Sequence, residues 1–315
     1  MNKKLRATIL TPALMALTAF AFMPASASAQ EEIGIVEFIG EERAPSFESS
    51  VTLIEEFTEA VKSNDLGNLA VLLGLDTERL MTDESTLESF VKIRDGLAEQ
   101  LTLFEESNVI ILEIGKELWP FPFPIVRDDN GTWSFDTLAG LEEIINRRVG
   151  QNELEAIGTA RAYVDAQREY ASQDRDGDGV LEYAQKLISS DGQTDGLYWP
   201  ESLGEGPSPA GGFADENAVE NARRGDGYFG YRFRIVTGQG DEIAGGSYDY
   251  VINNNMIAGF ALIAWPVRYA ETGAKTFMVN HHGTVYEIDL GPETETIVKY
   301  ITNFNPNEDW SVVTD

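Results

Sequence analysis

The chain has 315 residues, of which 53 are Asp or Glu and 23 are Lys or Arg, so its formal net charge is −30 at pH 7. This imbalance argues strongly against a nucleic acid or an anionic lipid surface as a partner, because phosphate binding requires clustered Lys and Arg. The chain contains no cysteine. Disulfides therefore cannot stabilise it, and each domain must depend on a hydrophobic core.

The N-terminus has the pattern of an export signal over residues 1–29. Three basic residues precede an apolar run at 7–23, and an Ala-Ser-Ala cleavage motif ends at Ala29. A membrane anchor is the alternative, but the run is short for a bilayer span and contains Thr and Pro. We therefore expect cleavage before Gln30, no transmembrane segment in the mature protein, and a periplasmic or secreted location. The acidic, poorly patterned residues 30–46 are expected to form a flexible leader.

Residues 47–150 are predicted to form an N-terminal domain of helices followed by a small antiparallel sheet. Apolar residues at helical spacing predict helices at 51–61, at 69–73 and at 87–104. The run NVIILEIG predicts a strand at 108–115, and the turn signal Asp-Asp-Asn-Gly predicts a hairpin centred on 128–131. The alternating aromatic residues and prolines of 119–124 indicate an edge strand or an extended arm.

Residues 151–315 are predicted to form a second domain. A long helix at 153–172 carries one apolar stripe and leads to an acidic loop. The polar, Gly- and Pro-rich region 189–222 is predicted to be a long loop with a helical turn. Strands are predicted at 228–237, 248–253, 257–267, 275–279 and 284–288, and a last helix at 293–304. One long helix that leads into a meander of antiparallel strands predicts the α+β class.

The stretch DRDGDGVLEYAQ, which begins at residue 174, matches the ligand spacing of an EF-hand-type calcium loop. Such a loop places oxygen ligands at positions 1, 3, 5, 7, 9 and 12 and glycine at position 6. The residues at the ligand positions are Asp174, Asp176, Asp178, Val180 through its carbonyl, Glu182 and Gln185, with Gly179 at position 6.

The twelfth position of this loop departs from the usual pattern. Gln185 stands where a bidentate glutamate is normal, so the site is expected to bind Ca²⁺ weakly, with a dissociation constant of about 0.1 to 1 mM. A carboxylate from farther along the chain, such as Asp191 or Asp195, could replace it. The alternative interpretation is a hydrated acidic turn without a metal.

Several long motifs resemble the bacterial family called domain of unknown function 2950. They are DRDGDGVLEYAQKL, DGLYWP, GYRFRIVTGQG, GGSYDYVINNNMIAGFALIAWP and TGAKTFMVNHHGTVYEIDLG. The earlier motifs WPFPFPIV and GTWSFDTLAGLEEIINRRVGQNELEAI also resemble it, so the similarity covers residues 47–312. The resemblance implies an exported bacterial protein, and it brings no catalytic residues with it.

The second domain also resembles, more loosely, the globular heads of type IV pilins and pseudopilins. Those heads place a helix against an antiparallel sheet, and the matching features are the helix from 153, the strands from 228 and the hairpin TGAKTFMVNHHGTVYE. The methylated N-terminal residue and the apolar stalk of pilins have no counterpart in the sequence. The resemblance therefore implies a pilin-like head that cannot polymerise through a stalk.

Two functions from different classes fit these patterns. The preferred one is a non-enzymatic envelope or extracellular protein that binds another protein or a glycan, with calcium as a structural ion. Trp199, in the long polar loop, is its expected surface contact. The alternative is a secreted hydrolase that uses carboxylates of region 189–222. The adjacent His281 and His282 are expected in a solvated hairpin turn rather than in a zinc site.

Overall fold

The computed structural model describes residues 38–82, 84–212 and 214–314. The export signal expected at 1–29 and the first part of the expected leader lie outside the described residues. Within the described part of the chain, helices and antiparallel strands enclose two hydrophobic cores.

The described end of the expected leader is hydrogen-bonded to the first of these cores. The N–H of Gly40 donates to the carbonyl of Gly74 at 2.9 Å. Phe47 and Trp133 exchange two backbone hydrogen bonds of 2.8 and 2.7 Å. Gly40 of the expected leader, and Phe47 directly after it, are therefore each joined to the first half of the structure by isolated backbone hydrogen bonds.

Four helices open the first half of the chain, and they are α1 (Ser50–Lys62), α2 (Leu66–Leu73), α3 (Thr77–Thr82) and α4 (Glu84–Glu99). Helix α1 begins where the side chain of Ser49 accepts a hydrogen bond from the N–H of Val51. Its apolar residues Leu53, Phe57 and Val61 recur at helical spacing and are fully buried. This face of α1 forms the centre of the first core.

The first sheet contains β1 (Leu101–Glu106), β2 (Val109–Ile114), β3 (Trp119–Pro120), β4 (Ile125–Arg127) and β5 (Trp133–Phe135). The order is β1-β2-β4-β5, with β3 also paired to β2, and every pair is antiparallel. Strand β2 and the hairpin of β4 and β5 confirm the predictions for 108–115 and for the turn at 128–131. Strand β3 confirms that residues 119–124 include a short strand.

The helix predicted at 87–104 is wrong at its C-terminal end. Helix α4 ends at Glu99, and the next residues form β1, which pairs with β2 along its whole length. The apolar residues Leu101 and Leu103 fit an alternating strand as well as they fit a helix. The backbone groups of β2 require a partner strand, and this requirement decides between the two.

A single helix of 34 residues, α5 (Thr137–Tyr170), connects the two cores. The predicted start at residue 153 is wrong, because the helix begins where the side chain of Asp136 accepts a hydrogen bond from the N–H of Ala139. The domain boundary predicted at 150 therefore falls inside a helix. The N-terminal half of α5 contributes Leu141 to the first core, and the C-terminal half contributes Ala156 and Val164 to the second.

The second half of the chain contains β6 (Tyr231–Val236), β7 (Gly238–Gln239), β8 (Tyr248–Asp249), β9 (Val251–Ile252), β10 (Asn255–Met256), β11 (Ala261–Pro266), β12 (Lys275–Asn280), β13 (Val285–Asp289) and β14 (Ser311–Val312). Five of them form an antiparallel sheet in the order β14-β13-β12-β11-β6, while β7–β8 and β9–β10 are two-stranded ribbons. Helix α5 packs on β11, β12 and β13. This arrangement of a long helix before an antiparallel sheet confirms the α+β class.

Two further helices differ from the predictions. Helix α6 (Glu216–Arg224) occupies the end of the region predicted as a loop at 189–222. Helix α7 (Thr294–Val298) is much shorter than the helix predicted at 293–304. The backbone of Phe304 instead pairs with Gly238 and Gly240 at 2.9 and 3.0 Å and buries the Phe304 ring, which removes this residue from any helix.

Candidate functional site

The acidic loop directly follows α5 and is folded around the side chain of Asp174. Asp174 Oδ1 accepts a hydrogen bond from the N–H of Gly177 at 2.8 Å, and its Oδ2 accepts one from the N–H of Gly179 at 2.9 Å. The φ angles of these glycines are 78° and 90°, a region that favours glycine. The two glycines therefore form a tight turn that directs backbone N–H groups at Asp174.

The loop brings three carboxylates together. Oxygen atoms of Asp174, Asp176 and Asp178 lie within 4.8 Å of one another, and the three side chains are exposed. The N–H of Asp178 donates to Asp176 Oδ1 at 3.2 Å, and the N–H of Val180 donates to Asp178 Oδ1 at 2.8 Å. Carboxylate oxygens in such a cluster are the ligands that Ca²⁺ prefers. The first three residues of the predicted metal site are thus adjacent in space.

The last two residues of the predicted site, Glu182 and Gln185, contact the neighbouring ribbon. Glu182 Oε2 accepts a hydrogen bond from the N–H of Met256 at 3.1 Å, and Gln185 Nε2 donates to the carbonyl of Asn254 at 2.6 Å. The cluster of carboxylates within 4.8 Å contains the three aspartates and not Glu182. These two side chains therefore lie beside the aspartate cluster and hold the loop on the β9–β10 ribbon.

Asn255 provides a direct bond between the aspartate cluster and the same ribbon. Its Nδ2 donates to Asp178 Oδ2 at 2.7 Å. The backbone of Tyr183 adds a bridge to Met256, with a hydrogen bond of 2.8 Å. Asn255 was not among the predicted site residues, because its sequence distance from the loop hides the contact. The run of three asparagines at 253–255, which is typical of a turn, was the signal in the sequence, and residues 253 and 254 do have positive φ.

The loop holds its carboxyl groups in two different electrostatic environments. Backbone hydrogen bonds from Gly179 and Gly177 hold the pKa of Asp174 below its ordinary value. Partial burial raises the pKa of Glu182, and the charges of Asp176 and Asp178 raise it further. A positive charge bound in the loop would therefore reduce the repulsion between Glu182 and the carboxylates of Asp176 and Asp178.

The two carboxylates suggested as replacements for Gln185 lie elsewhere. Asp195 Oδ2 pairs with Lys186 Nζ at 2.5 Å, and its Oδ1 accepts a hydrogen bond from the N–H of Ser190 at 2.8 Å. Burial raises the pKa of Asp195, but its bonds to Lys186 and Ser190 outweigh this effect and lower the pKa overall. Asp191 lines a separate polar pocket beside Trp199. Asp195 therefore stabilises its own turn.

Trp199 is buried, so the prediction that it forms a surface contact is wrong. Its side chain is 2 % exposed, and its indole N–H donates to the carbonyl of Gly206 at 3.0 Å. The guanidinium of Arg175 lies over the Trp199 ring at 5.2 Å and over the Tyr170 ring at 4.9 Å. The long polar loop thus folds back on its own tryptophan, which supplies the apolar surface that the loop buries.

Arg175 is a second residue that the sequence analysis missed. It stands between Asp174 and Asp176, and its Nε also donates to the carbonyl of Tyr170 at 3.2 Å. A single basic residue inside an acidic turn was the available signal. Arg175 turns away from the carboxylates and attaches the loop to the end of α5.

The second half of the structure also contains a cavity of about 470 Å³. It is bounded by α5, by β6 and β11 of the sheet, and by α6 with the chain that precedes it. Three aromatic residues, Tyr198, Tyr228 and Trp265, line this cavity and are partly buried. Tyr248, by contrast, is 38 % exposed and lies outside it.

Two acidic residues of region 189–222 have structural roles. Asp215 caps α6 by accepting a hydrogen bond from the N–H of Ala218 at 2.8 Å, and Asp195 is paired with Lys186. Among the described residues that line the cavity there is no Asp and no Glu. A pair of carboxylates facing a common space, as glycoside hydrolysis requires, is therefore not found at this cavity.

No helix in the described ranges is long and apolar enough to cross a membrane. No curated protein and no solved structure matches the chain, so the resemblance to pilin heads stays a prediction. One family profile, described as Protein of unknown function (DUF2950), matches residues 44–313. This match covers both cores, the acidic loop and the cavity, and the chain therefore belongs to the DUF2950 family.

Proposed function

We propose that the protein is an exported, non-enzymatic binding module of the bacterial envelope or the extracellular medium, with a calcium ion that stabilises its acidic loop. The observation that carries the calcium proposal is the cluster of Asp174, Asp176 and Asp178 at the end of α5, bonded through Asn255 to the β9–β10 ribbon. An ion bound in this loop would join the helix to the sheet side of the second core.

The chemistry of the loop supports Ca²⁺ in particular. Calcium accepts six to eight oxygen ligands in flexible geometry, whereas magnesium demands a nearly ideal octahedron and retains its water. The three aspartates, the carbonyl of Val180 and the adjacent Glu182 are all oxygen donors on one short segment. Ca²⁺ at the millimolar level of an extracellular medium would occupy a site with a dissociation constant of about 0.1 to 1 mM.

The proposed partner is an envelope protein or a glycan. Exposed aromatic side chains provide stacking surfaces for such partners, and Trp119, Tyr248 and Tyr300 are 40, 38 and 82 % exposed. The net charge of −30 disfavours acidic partners. The hydrolase alternative gains no support from region 189–222, since Asp195 and Asp215 are engaged in a turn and a helix cap.

A thermal melt of the mature protein tests the calcium proposal. We expect about 10 mM Ca²⁺ to stabilise the wild type by about 1.4 to 2.7 kcal/mol relative to chelator, from the expected affinity. The Asp176→Ala/Asp178→Ala variant should not respond. The Asp129→Ala/Asp241→Ala variant removes two exposed carboxylates elsewhere and should respond as the wild type does.

Mg²⁺ at the same concentration and matched ionic strength separates binding from general screening of a highly negative chain. An equal shift in Mg²⁺, or an equal shift in both double variants, would show that cations only screen the overall charge. Equal melting of the wild type in chelator and in Ca²⁺ would show that the loop is a turn without a metal.

The proposed export has its own test. The full chain is expressed in a bacterium, and the intact mass of the protein is measured in the periplasmic and medium fractions. We expect a mature chain that begins at Gln30 in one of these fractions. A protein that keeps residue 1 and stays in the cytoplasm would contradict the proposed location.

A further inference from the structure

The cavity of about 470 Å³ has the size of a small-molecule site. Its floor consists of residues of α5 and of the sheet, among them Tyr163 and Leu262, and its cover contains Val219 and Ala222 of α6. Another wall contains Phe233, whose side chain is on the same face of the sheet as Leu262, whereas Trp265 pairs with Arg232 and its side chain is on the opposite face. Helices and strands supply about half of the lining residues, and the loops between residues 187 and 228 supply the rest.

Three tyrosine hydroxyls around the cavity already have partners inside the protein. The hydroxyl of Tyr163 donates to the carbonyl of Ala261 at 3.2 Å, and the hydroxyl of Tyr231 donates to the carbonyl of Lys275 at 2.9 Å. The hydroxyl of Tyr228 accepts a hydrogen bond from the N–H of Asp215 at 3.2 Å. These tyrosines therefore present their rings, and not free hydroxyls, to the cavity.

The charges around the cavity favour an uncharged ligand. Among the described lining residues Arg232 alone is charged, and its Nη1 pairs with Glu295 Oε2 at 2.8 Å. The same Glu295 oxygen accepts a hydrogen bond from Trp265 Nε1 at 2.8 Å, which fixes Arg232 and Trp265 together. A cationic ligand would find no carboxylate on the lining, and an anionic ligand would meet a neutralised arginine on a chain of charge −30.

We propose that this cavity binds an uncharged, largely apolar small molecule that contains an aromatic ring. Tyr198, Tyr228 and Phe233 offer the aromatic surface against which such a molecule packs. Removal of the ligand's apolar surface from water supplies the binding free energy, at about 25 cal/mol for each Å². The proposal goes beyond the binding module proposed above, because it adds a small-molecule ligand to the protein or glycan partner, and it does not depend on calcium.

N-phenyl-1-naphthylamine is a suitable probe, because it is neutral, aromatic and fluorescent only in apolar surroundings. We expect saturable fluorescence enhancement with the mature wild-type protein at one site per chain. The matched probe 8-anilinonaphthalene-1-sulfonate has the same two ring systems and an added negative charge. It should bind at least about tenfold more weakly, which corresponds to about 1.4 kcal/mol.

Two variants on α6 test whether the probe binds in the cavity. Ala222→Trp fills the cavity from a lining position and should weaken probe binding at least about tenfold. Asn217→Trp adds the same side chain at an exposed position of the same helix and should bind as the wild type does. Ala214→Phe fills the cavity from the preceding loop and gives a second test if Ala222→Trp does not fold, as judged by circular dichroism and melting.

The proposal fails if the wild type shows no saturable binding of the neutral probe. It also fails if Ala222→Trp or Ala214→Phe folds and binds this probe as tightly as Asn217→Trp does. Equal affinity for the sulfonated probe would contradict an uncharged ligand. Titrations in chelator and in Ca²⁺ separate the two proposals. Loss of the calcium response leaves the cavity proposal standing, and loss of probe binding leaves the calcium loop standing.

Discussion

The amide of Asn255 donates a 2.7 Å hydrogen bond to the carboxylate of Asp178, although 77 residues separate them in the chain. This bond joins the loop at the end of α5 to the ribbon that precedes strand β11. Together with the bond from the N–H of Met256 to Glu182 at 3.1 Å, it fixes one side of the acidic loop. These two bonds therefore attach the loop to the second half of the structure by protein contacts alone.

The contact between Asn255 and Asp178 predicts a variant with an enhanced calcium response. Asn255→Asp places a fourth carboxylate beside Asp178, and the repulsion between them should destabilise the protein in chelator by about 1 kcal/mol. If the loop binds Ca²⁺, the added ligand should make the shift of the melting midpoint larger than that of the wild type.

Asn307→Asp is the matched control for this variant. Asn307 Nδ2 donates to Asp309 Oδ2 at 3.1 Å in an exposed turn outside the loop, so this change also creates a pair of adjacent carboxylates. It should not change the calcium-induced shift. An equal gain in both variants would mean that Ca²⁺ screens repulsion wherever it is introduced.

The partly buried His281 leads us to expect that stability depends on pH. Its Nδ1 is buried and finds no hydrogen-bond partner among the described residues. Burial lowers the pKa of His281, and the neighbouring His282 and Arg168 lower it further. The unfolded chain therefore takes up the proton first, and stability is lost as the pH falls from about 6.5 toward the lower folded pKa.

His281→Phe keeps a ring against Tyr250 and Phe260 and removes the titrating group. We expect the difference between melting midpoints at about pH 7.5 and about pH 5.5 to shrink in this variant. His282→Asn removes the exposed histidine and should keep most of the wild-type difference. If His281→Phe leaves the pH dependence of the melting midpoint unchanged, the carboxyl groups and not His281 cause that dependence.

Substitution of Gln167 is expected to lower the free energy of unfolding strongly. Its fully buried amide bonds to both backbone groups of Ala184, with two hydrogen bonds of 2.8 Å, and donates to the hydroxyl of Tyr163 at 2.9 Å. Gln167→Leu keeps the volume but leaves the N–H and C=O of Ala184 unpaired, which should cost about 2 kcal/mol or more in chemical denaturation. Gln151→Leu, at an exposed position of α5, should change the free energy of unfolding by less than about 0.5 kcal/mol.

The start of α5 supplies a test of how the two cores are joined. Asp136→Ala removes the side-chain cap bonded to the N–H of Ala139 and should destabilise the protein by about 0.5 to 2 kcal/mol. Asp129→Ala, in the exposed hairpin turn, is the control and should have little effect. Hydrogen exchange should show faster opening in the first turns of α5, and unchanged exchange there would contradict the cap's role.

Several features follow from the sequence alone because they depend on local chemistry. The alternation of β2, the Asp-Asp-Asn-Gly hairpin, the α+β class and the close spacing of the three aspartates all arise within short segments. Glycine at positions 177 and 179 permits the positive φ angles of the loop, so the turn could be read directly from DGDG.

Other features required the tertiary structure. Leu101 to Glu106 form a strand because β2 needs a partner, and α5 is one continuous helix whose two halves pack on different cores. Trp199 is buried because its own loop covers it, and Asn255 reaches Asp178 only through the path of the sheet. The cavity likewise depends on residues from α5, α6 and two strands. Contacts between residues distant in the chain decide these features, and a local pattern does not encode them.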